Sequence, residues 1–220
     1  PRIVGEPGLG KTTLALHVAR ATGREAYVFQ CTSDTQPEDL LITPVLAPHQ
    51  TVRYRASAVV TAMLRGGALV LDEANRMPER SWASLAPLLD DRRLVDSVVA
   101  GVRIEAQPEF RVCVTTNEDG SVYELPGYIQ SRLKPTIEIV APPWSVCSGI
   151  VRSKCRAVDE DLLAGALEEL RRRAEASLED SVRDMLNLAR YAQKLRRCGI
   201  PDPLSVAARQ VLAGGTASEQ

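Results

Sequence analysis

Over the first two thirds of the chain, short unbroken apolar runs alternate with amphipathic stretches; beyond that only helical periodicity remains. Ile3 and Val4 lead into a glycine-rich segment, and Leu14, Leu16, Val18 and Ala19 then predict a helix that stops near Gly23. Residues 26–31, apolar with β-branched and aromatic members, predict a strand, and 34–41 a turn with a helical start. The stretch 43–55 carries Pro44 and Pro48 and reads as a loop or short insertion. Ser57 suits the cap of a helix through Val59, Val60, Met63 and Leu64, closed by Gly66-Gly67. Ala68-Leu69-Val70-Leu71 shows no alternation before Asp72-Glu73, as expected of a strand covered on both faces. Pro78 opens a predicted helix through Trp82, Leu85, Leu88 and Leu89. Runs at 94–99 and 102–106, split by Ala100-Gly101, predict a hairpin; 110–116 and 136–140 predict two more strands.

Alternating strands and helices over residues 1–141 imply an α/β domain with a parallel sheet flanked by crossover helices. Pro142-Pro143 marks a boundary. From 142 to 220 the apolar positions (Leu162, Leu163, Ala166, Leu167, Leu170; then Met185, Leu186, Ala189, Ala192, Leu195) keep helical spacing, so a small all-helical domain is expected. Arg171-Arg172-Arg173 reads as the solvated end of one such helix. Residues 214–220 are expected to fray, and the chain, opening at Pro1, reads as a fragment of a longer protein.

Composition narrows the class. Of 220 residues, 45% are hydrophobic and 25% charged, an ordinary globular balance with room for one large domain and a small one. The formal net charge of −1 offers no global field for nucleic acid or an anionic membrane. No apolar run approaches the roughly 18 residues of a membrane span. Cys31, Cys113, Cys147, Cys155 and Cys198 form no C-x2-C pair, which argues against zinc and disulfide frameworks and for a reduced, cytoplasmic setting. Of the 27 basic residues only four are lysines, so each lysine is worth locating.

Gly5-Glu6-Pro7-Gly8-Leu9-Gly10-Lys11-Thr12-Thr13 fits a phosphate-binding loop between a strand and a helix. Glycines let backbone N–H groups converge on phosphate oxygens, and the following helix aims its positive end at the same charge. In such a loop Lys11 reaches the β and γ phosphates and Thr12 offers a hydroxyl to Mg²⁺. Asp72 and Glu73 at a strand end suit ion holding and water activation respectively; two carboxylates capping the next helix are the alternative. Asn117, after another strand, can position water or touch a γ phosphate, although Asn there is also a common turn residue.

Together these residues resemble the core of an AAA+ ATPase, and within that group the MoxR and dynein-related branch. "LVLDEANRM" (69–77), "LAPLLDDRRLV" (85–95), "FRVCVTTNEDG" (110–120) and "LPGYIQSRLKP" (125–135) follow that branch's order, and 23–41 with 88–112 are most similar to its CbbQ/NorQ type. The resemblance makes Lys11 and Thr12 Walker A, Asp72 and Glu73 Walker B, and Asn117 sensor 1. It makes Arg132 the arginine finger that reaches a neighbouring subunit and Arg183, opening a lid helix behind Asp180-Ser181, sensor 2. Arg76 resembles an interface residue of the branch.

The function so implied is Mg²⁺-dependent ATP binding and hydrolysis by a ring oligomer, expected to be hexameric, that remodels a partner protein. That partner is a client or an adaptor carrying a von Willebrand factor A domain. The alternative is a nucleic-acid-associated McrB-like NTPase motor, which shares the Asn117-x-Asp119 turn; the net charge disfavours it. A nucleotide-gated scaffold without turnover is disfavoured by the intact Asp72-Glu73 pair. Members of the group carry a segment before the first strand that contacts adenine, whereas four residues precede Gly5 here; without that segment, nucleotide affinity, base selectivity and oligomer assembly are all expected to be affected.

Overall fold

A computed structural model of the protein describes residues 1–117, 124–176, 178 and 180–212. They fall into two compact units, Pro1–Glu6 with Gly10–Ile139, and Pro7–Leu9 with the chain from Val140 onward.

The first unit is α/β. Its strands are β1 (Arg2–Gly5), β2 (Ala26–Gln30), β3 (Ile42–Ala47), β4 (Thr51–Ala56), β5 (Ala68–Asp72), β6 (Leu94–Ser97), β7 (Val102–Glu105), β8 (Arg111–Asn117) and β9 (Thr136–Glu138). Its helices are α1 (Lys11–Ala21), α2 (Pro37–Leu40), α3 (Ala58–Arg65), α4 (Glu79–Leu85) and α5 (Gly127–Gln130). Five strands form one parallel sheet in the order β2-β5-β8-β1-β9. Burial on both sides explains the lack of alternation in β5, where Leu69 and Leu71 are fully buried and Val70 is 1% exposed. Ser57 caps α3 by accepting from Val60 N, and Gly66 ends it at φ +65, as their spacing predicts. One face of the sheet meets a core of Met63, Leu69, Leu71, Trp82, Leu85 and Phe110.

Two sequence expectations change. The stretch read as a loop at 43–55 is an antiparallel ribbon, β3 against β4, with Pro44 opposite Tyr54 and Leu46 opposite Val52. A two-stranded ribbon has a free edge on either side, where a proline's missing N–H costs little. Its turn holds His49 and Gln50 at φ +66 and +58, without the Gly or Asn that signals such a turn. The helix predicted through Leu89 instead ends at Leu85 and continues as a tighter turn, Ala86–Leu88, because Pro87 cannot donate to the preceding turn. The predicted hairpin at β6 and β7 forms with its turn at Gly101.

The second unit is helical: α6 (Trp144–Lys154), α7 (Glu160–Glu175), α8 (Val182–Arg197) and α9 (Pro203–Val211). Leu163, Leu167 and Leu170 of α7 pack on Met185, Leu188 and Ala192 of α8. Gln193, buried on α8, accepts from Asp159 N at 2.8 Å and donates to Asp159 Oδ2 at 3.1 Å. Arg171 and Arg172 pair with Glu175 and Glu169 at the surface. Arg173 departs from the solvated expectation: its side chain is 20% exposed and grips Asp180 through two bonds of 2.7 and 2.9 Å. Among the described residues no helix is long and apolar enough to cross a membrane. All five cysteines are free thiols. The expected fraying at 214–220 and Asp119 lie outside the described residues.

Candidate functional site

The parallel register brings the candidate residues of the first unit to one sheet end. β8 lies between β1 and β5, so Gly5 stands opposite Asn117. β2 borders β5 on its other side, with Gln30 opposite Asp72. Gly5 takes φ +151, and a Cβ there would run into the Ile139 carbonyl, so only glycine fits without displacement. Gly10, at φ +84, forms the N-cap of α1, whose first turn carries no acidic residue to neutralise its positive end. Lys11 is only 6% exposed, and its Nζ donates to the carbonyls of Gly5 and Glu6 at 2.7 Å each. The lysine therefore braces the loop from within.

At the end of β5, Asp72 Oδ1 accepts from Thr12 Oγ1 at 2.6 Å and from Thr115 Oγ1 at 2.5 Å. Thr115 Oγ1 in turn accepts from Glu73 N at 3.0 Å. Glu73 takes the left-handed conformation (φ +50), turning the chain out of the strand. Its carboxylate meets three donors: Arg76 Nε at 2.9 Å and Gln30 Nε2 at 3.2 Å on Oε2, and Asn117 Nδ2 at 3.5 Å on Oε1. Asn117 is buried, and so is Asn75. Asn75 Nδ2 donates to Asn117 O at 2.8 Å, and its Oδ1 accepts from Asn117 N at 3.3 Å. Just beyond β2 at this end, Cys31 N donates to Asp72 O at 2.9 Å, and its fully buried thiol is pushed up to about 12 by burial first and then by the charges of Asp72 and Glu73.

A hydroxyl and a carboxylate 2.6 Å apart at the mouth of a phosphate loop are hard oxygen donors of the kind Mg²⁺ takes. Mg²⁺ usually keeps several waters and shares its shell with substrate phosphates, so two protein groups suffice. The donor set fits a nucleotide-bound Mg²⁺.

Gly5, Glu6, Gly10, Lys11, Thr12, Asp72, Glu73 and Asn117 thus meet in the first unit, with Thr13 exposed on α1. Arg132 contacts none of them: its Nη1 donates to Tyr128 O at 2.6 Å and its Nε lies 3.5 Å from Asp90 Oδ2. Asp90 is held down to about 2, chiefly by hydrogen bonds from Arg92. Pro7, Gly8, Leu9 and Arg183 belong to the second unit. Arg183 is exposed on the first turn of α8, behind Ser181, which caps the helix in a reciprocal box with Asp184. Sequence reasoning gave no role to Gln30, Asn75 or Thr115. All three stood inside stretches that carry the family resemblance (23–41, 69–77 and 110–120), but the partners of all three are brought together only by the sheet.

A strand, a glycine loop clamped by its own lysine, a helix and an acidic strand end together define a P-loop nucleotide-binding domain of the AAA+ kind. The AAA domain of the dynein-related subfamily matches residues 3–133, and the chain belongs to that family. Protein NorQ of Paracoccus denitrificans is 32% identical over 134 residues, 60% of this chain and 46% of that protein. Protein CbbQ of Hydrogenophilus thermoluteolus is 27% identical over 130 residues, 59% of this chain and 45% of that one. The matched region spans about half the length of these relatives. In structure, the RuvB Holliday junction branch migration motor of Thermotoga maritima aligns with TM-score 0.62 and 18% identity, covering 95% of this chain and 60% of that one. A putative ATPase from Cytophaga hutchinsonii aligns with TM-score 0.56 and 19% identity, covering 96% and 76%. These two likenesses concern the fold.

Proposed function

We propose that this domain binds ATP with Mg²⁺, hydrolyses it in the cytoplasm as part of a ring, expected to be hexameric, and uses the turnover to remodel a partner protein. The observation that carries the reading is the pairing of Thr12 Oγ1 with Asp72 Oδ1 beside a loop braced by Lys11, with the Glu73 carboxylate one residue further on. Residues 1–141 act as the nucleotide-binding domain and 142–220 as its lid. The loop N–H groups of 5–13 and the start of α1 receive the phosphates, and Lys11 neutralises their charge. Thr12 and Asp72 hold the ion, which when bound draws charge from the phosphate oxygens.

Glu73 accepts a proton from the attacking water, and Asn117 fixes the position of that water through its amide. Arg132 of an adjacent subunit and Arg183 supply positive charge where it develops in the transition state. The partner, as the MoxR resemblance of the sequence implies, is a protein client or an adaptor with a von Willebrand factor A domain. The experiment is Glu73→Gln: nucleotide binding persists while hydrolysis falls about 10²-fold or more, since only the proton acceptor is removed. An unchanged rate would remove Glu73 from this role.

A further inference from the structure

Outside the nucleotide site, the helical unit carries a groove of about 870 Å³ bounded by the end of α6, the exposed face of α8 and the end of α9. Four cations line it: Lys154, Arg190, Lys194 and Arg197. None of them forms an ion pair among the described residues, whereas Arg171, Arg172, Arg173 and Arg196 of the same unit all do. Arg190 reaches only a carbonyl, Lys154 O at 3.5 Å, and the side of Cys155. The lining's one carboxylate, Asp184, is turned to its own helix start, where it bonds Ser181. Two of the chain's four lysines stand here.

Arg190, Lys194 and Arg197 fall on one exposed stripe of α8, opposite the buried face of Met185, Leu188, Ala189 and Ala192. At about 1.5 Å rise per residue, Arg190 and Lys194 are about 6 Å apart along the helix. Alternate side chains of an extended peptide repeat at about 6.7 Å, so carboxylates at every second position match that spacing. Val158 and Val211 give the groove apolar floor between the cations.

We propose that this groove docks an extended acidic segment of a partner protein, with carboxylates on Lys154, Arg190, Lys194 and Arg197 and apolar residues between them on Val158 and Val211. The apolar floor and the net charge of −1 favour a peptide over a nucleic acid. This assignment is independent of ATP hydrolysis.

The probe is a fluorescein-labelled 12-residue peptide of alternating Glu and Leu, titrated with the whole chain by fluorescence anisotropy. A 12-nucleotide single strand competes in parallel. The peptide binds, and raising the salt weakens it. The double variant Arg190→Glu/Lys194→Glu loses about tenfold or more in affinity, because two attractive contacts become repulsive. Arg152→Glu, a charge reversal on α6 outside the lining, leaves the affinity as it was. Thermal melting and ATP turnover of all variants match those of the parent chain, which separates lost docking from lost folding. The proposal is overturned if the peptide does not bind, if the double variant binds it equally well, or if the oligonucleotide displaces it at lower concentration.

Discussion

Replacing Asn75 with Ala tests whether the two acidic-strand neighbours are stapled as described. The side chain makes one bond of 2.8 Å to Asn117 O and one of 3.3 Å to Asn117 N, both in buried surroundings. Truncation leaves a carbonyl and an amide without partners, and each such buried group costs about 1–3 kcal/mol. Because the second bond is long, we expect a total of about 3 kcal/mol, a large share of the roughly 5–15 kcal/mol that holds a domain together. Urea unfolding in a Trp144→Phe background lets Trp82, buried in the first unit, report that unit alone. With a urea slope of about 2 kcal/mol per molar, the midpoint falls by about 1.5 M at unchanged slope.

A second variant, Asn75→Asp, fixes the sign. It keeps the acceptor and turns the donor into an oxygen facing Asn117 O, so only the protonated acid preserves both bonds. Burial raises its pKa in the fold above about 3.9 in the unfolded chain. Unfolding then releases a proton, and stability present at low pH is lost as pH rises from about 4 towards neutrality. A cost below about 1 kcal/mol for the alanine, or a pH-independent aspartate variant, would refute the clamp.

Three further outcomes follow from the same geometry. Gly5→Ala forces a Cβ against the Ile139 carbonyl at φ +151, and calorimetry should find the domain destabilised by about 2 kcal/mol or more; a neutral result would mean that the chain just after β9 yields. Arg132→Ala and Glu73→Gln chains, each nearly inactive alone, should recover part of the turnover when mixed, since one mixed interface pairs an intact Glu73 with an intact Arg132; normal turnover by Arg132→Ala alone would exclude a finger acting between subunits. Native Cys198, exposed, should react with a thiol reagent well before fully buried Cys31. Cys31 ionises near 9.0 when unfolded and near 12 when folded, so unfolding releases its proton between those values and stability falls as pH rises through them. Cys31→Ala should flatten that part of the stability profile.

The parts legible in the sequence are those whose cause is local. Gly5 to Thr13 announces its loop through spacing, and Ala68–Asp72 its burial through an unbroken apolar run. Ser57, Gly66 and Gly101 mark element ends through backbone conformations that their residue types favour. The ribbon of β3 and β4 escaped because Pro44 and Pro48 argue against strands, and its turn uses His49 and Gln50. Arg173 escaped because Asp180, seven residues on, folds back to meet it. The contacts of Asn75 and Thr115 escaped for a topological reason: their partners lie more than 40 residues away and are brought close only by placing β8 beside β5.

Thr115 has one hydroxyl proton and uses it on Asp72, while its lone pair receives the amide of Glu73. Its proton cannot serve two acceptors at once, so the hydroxyl works as a one-bit relay. If Asp72 turns its oxygen towards a cation, the Thr115 proton must follow or find another acceptor. Either choice changes the pull on the Glu73 amide, and so the aim of a carboxylate that never touches the ion. Two residues along the same strand, Asn117 touches the other side of that carboxylate. In the function proposed above, ion arrival at Asp72 and water alignment at Glu73 are therefore one event read at two places, linked through the end of a single strand.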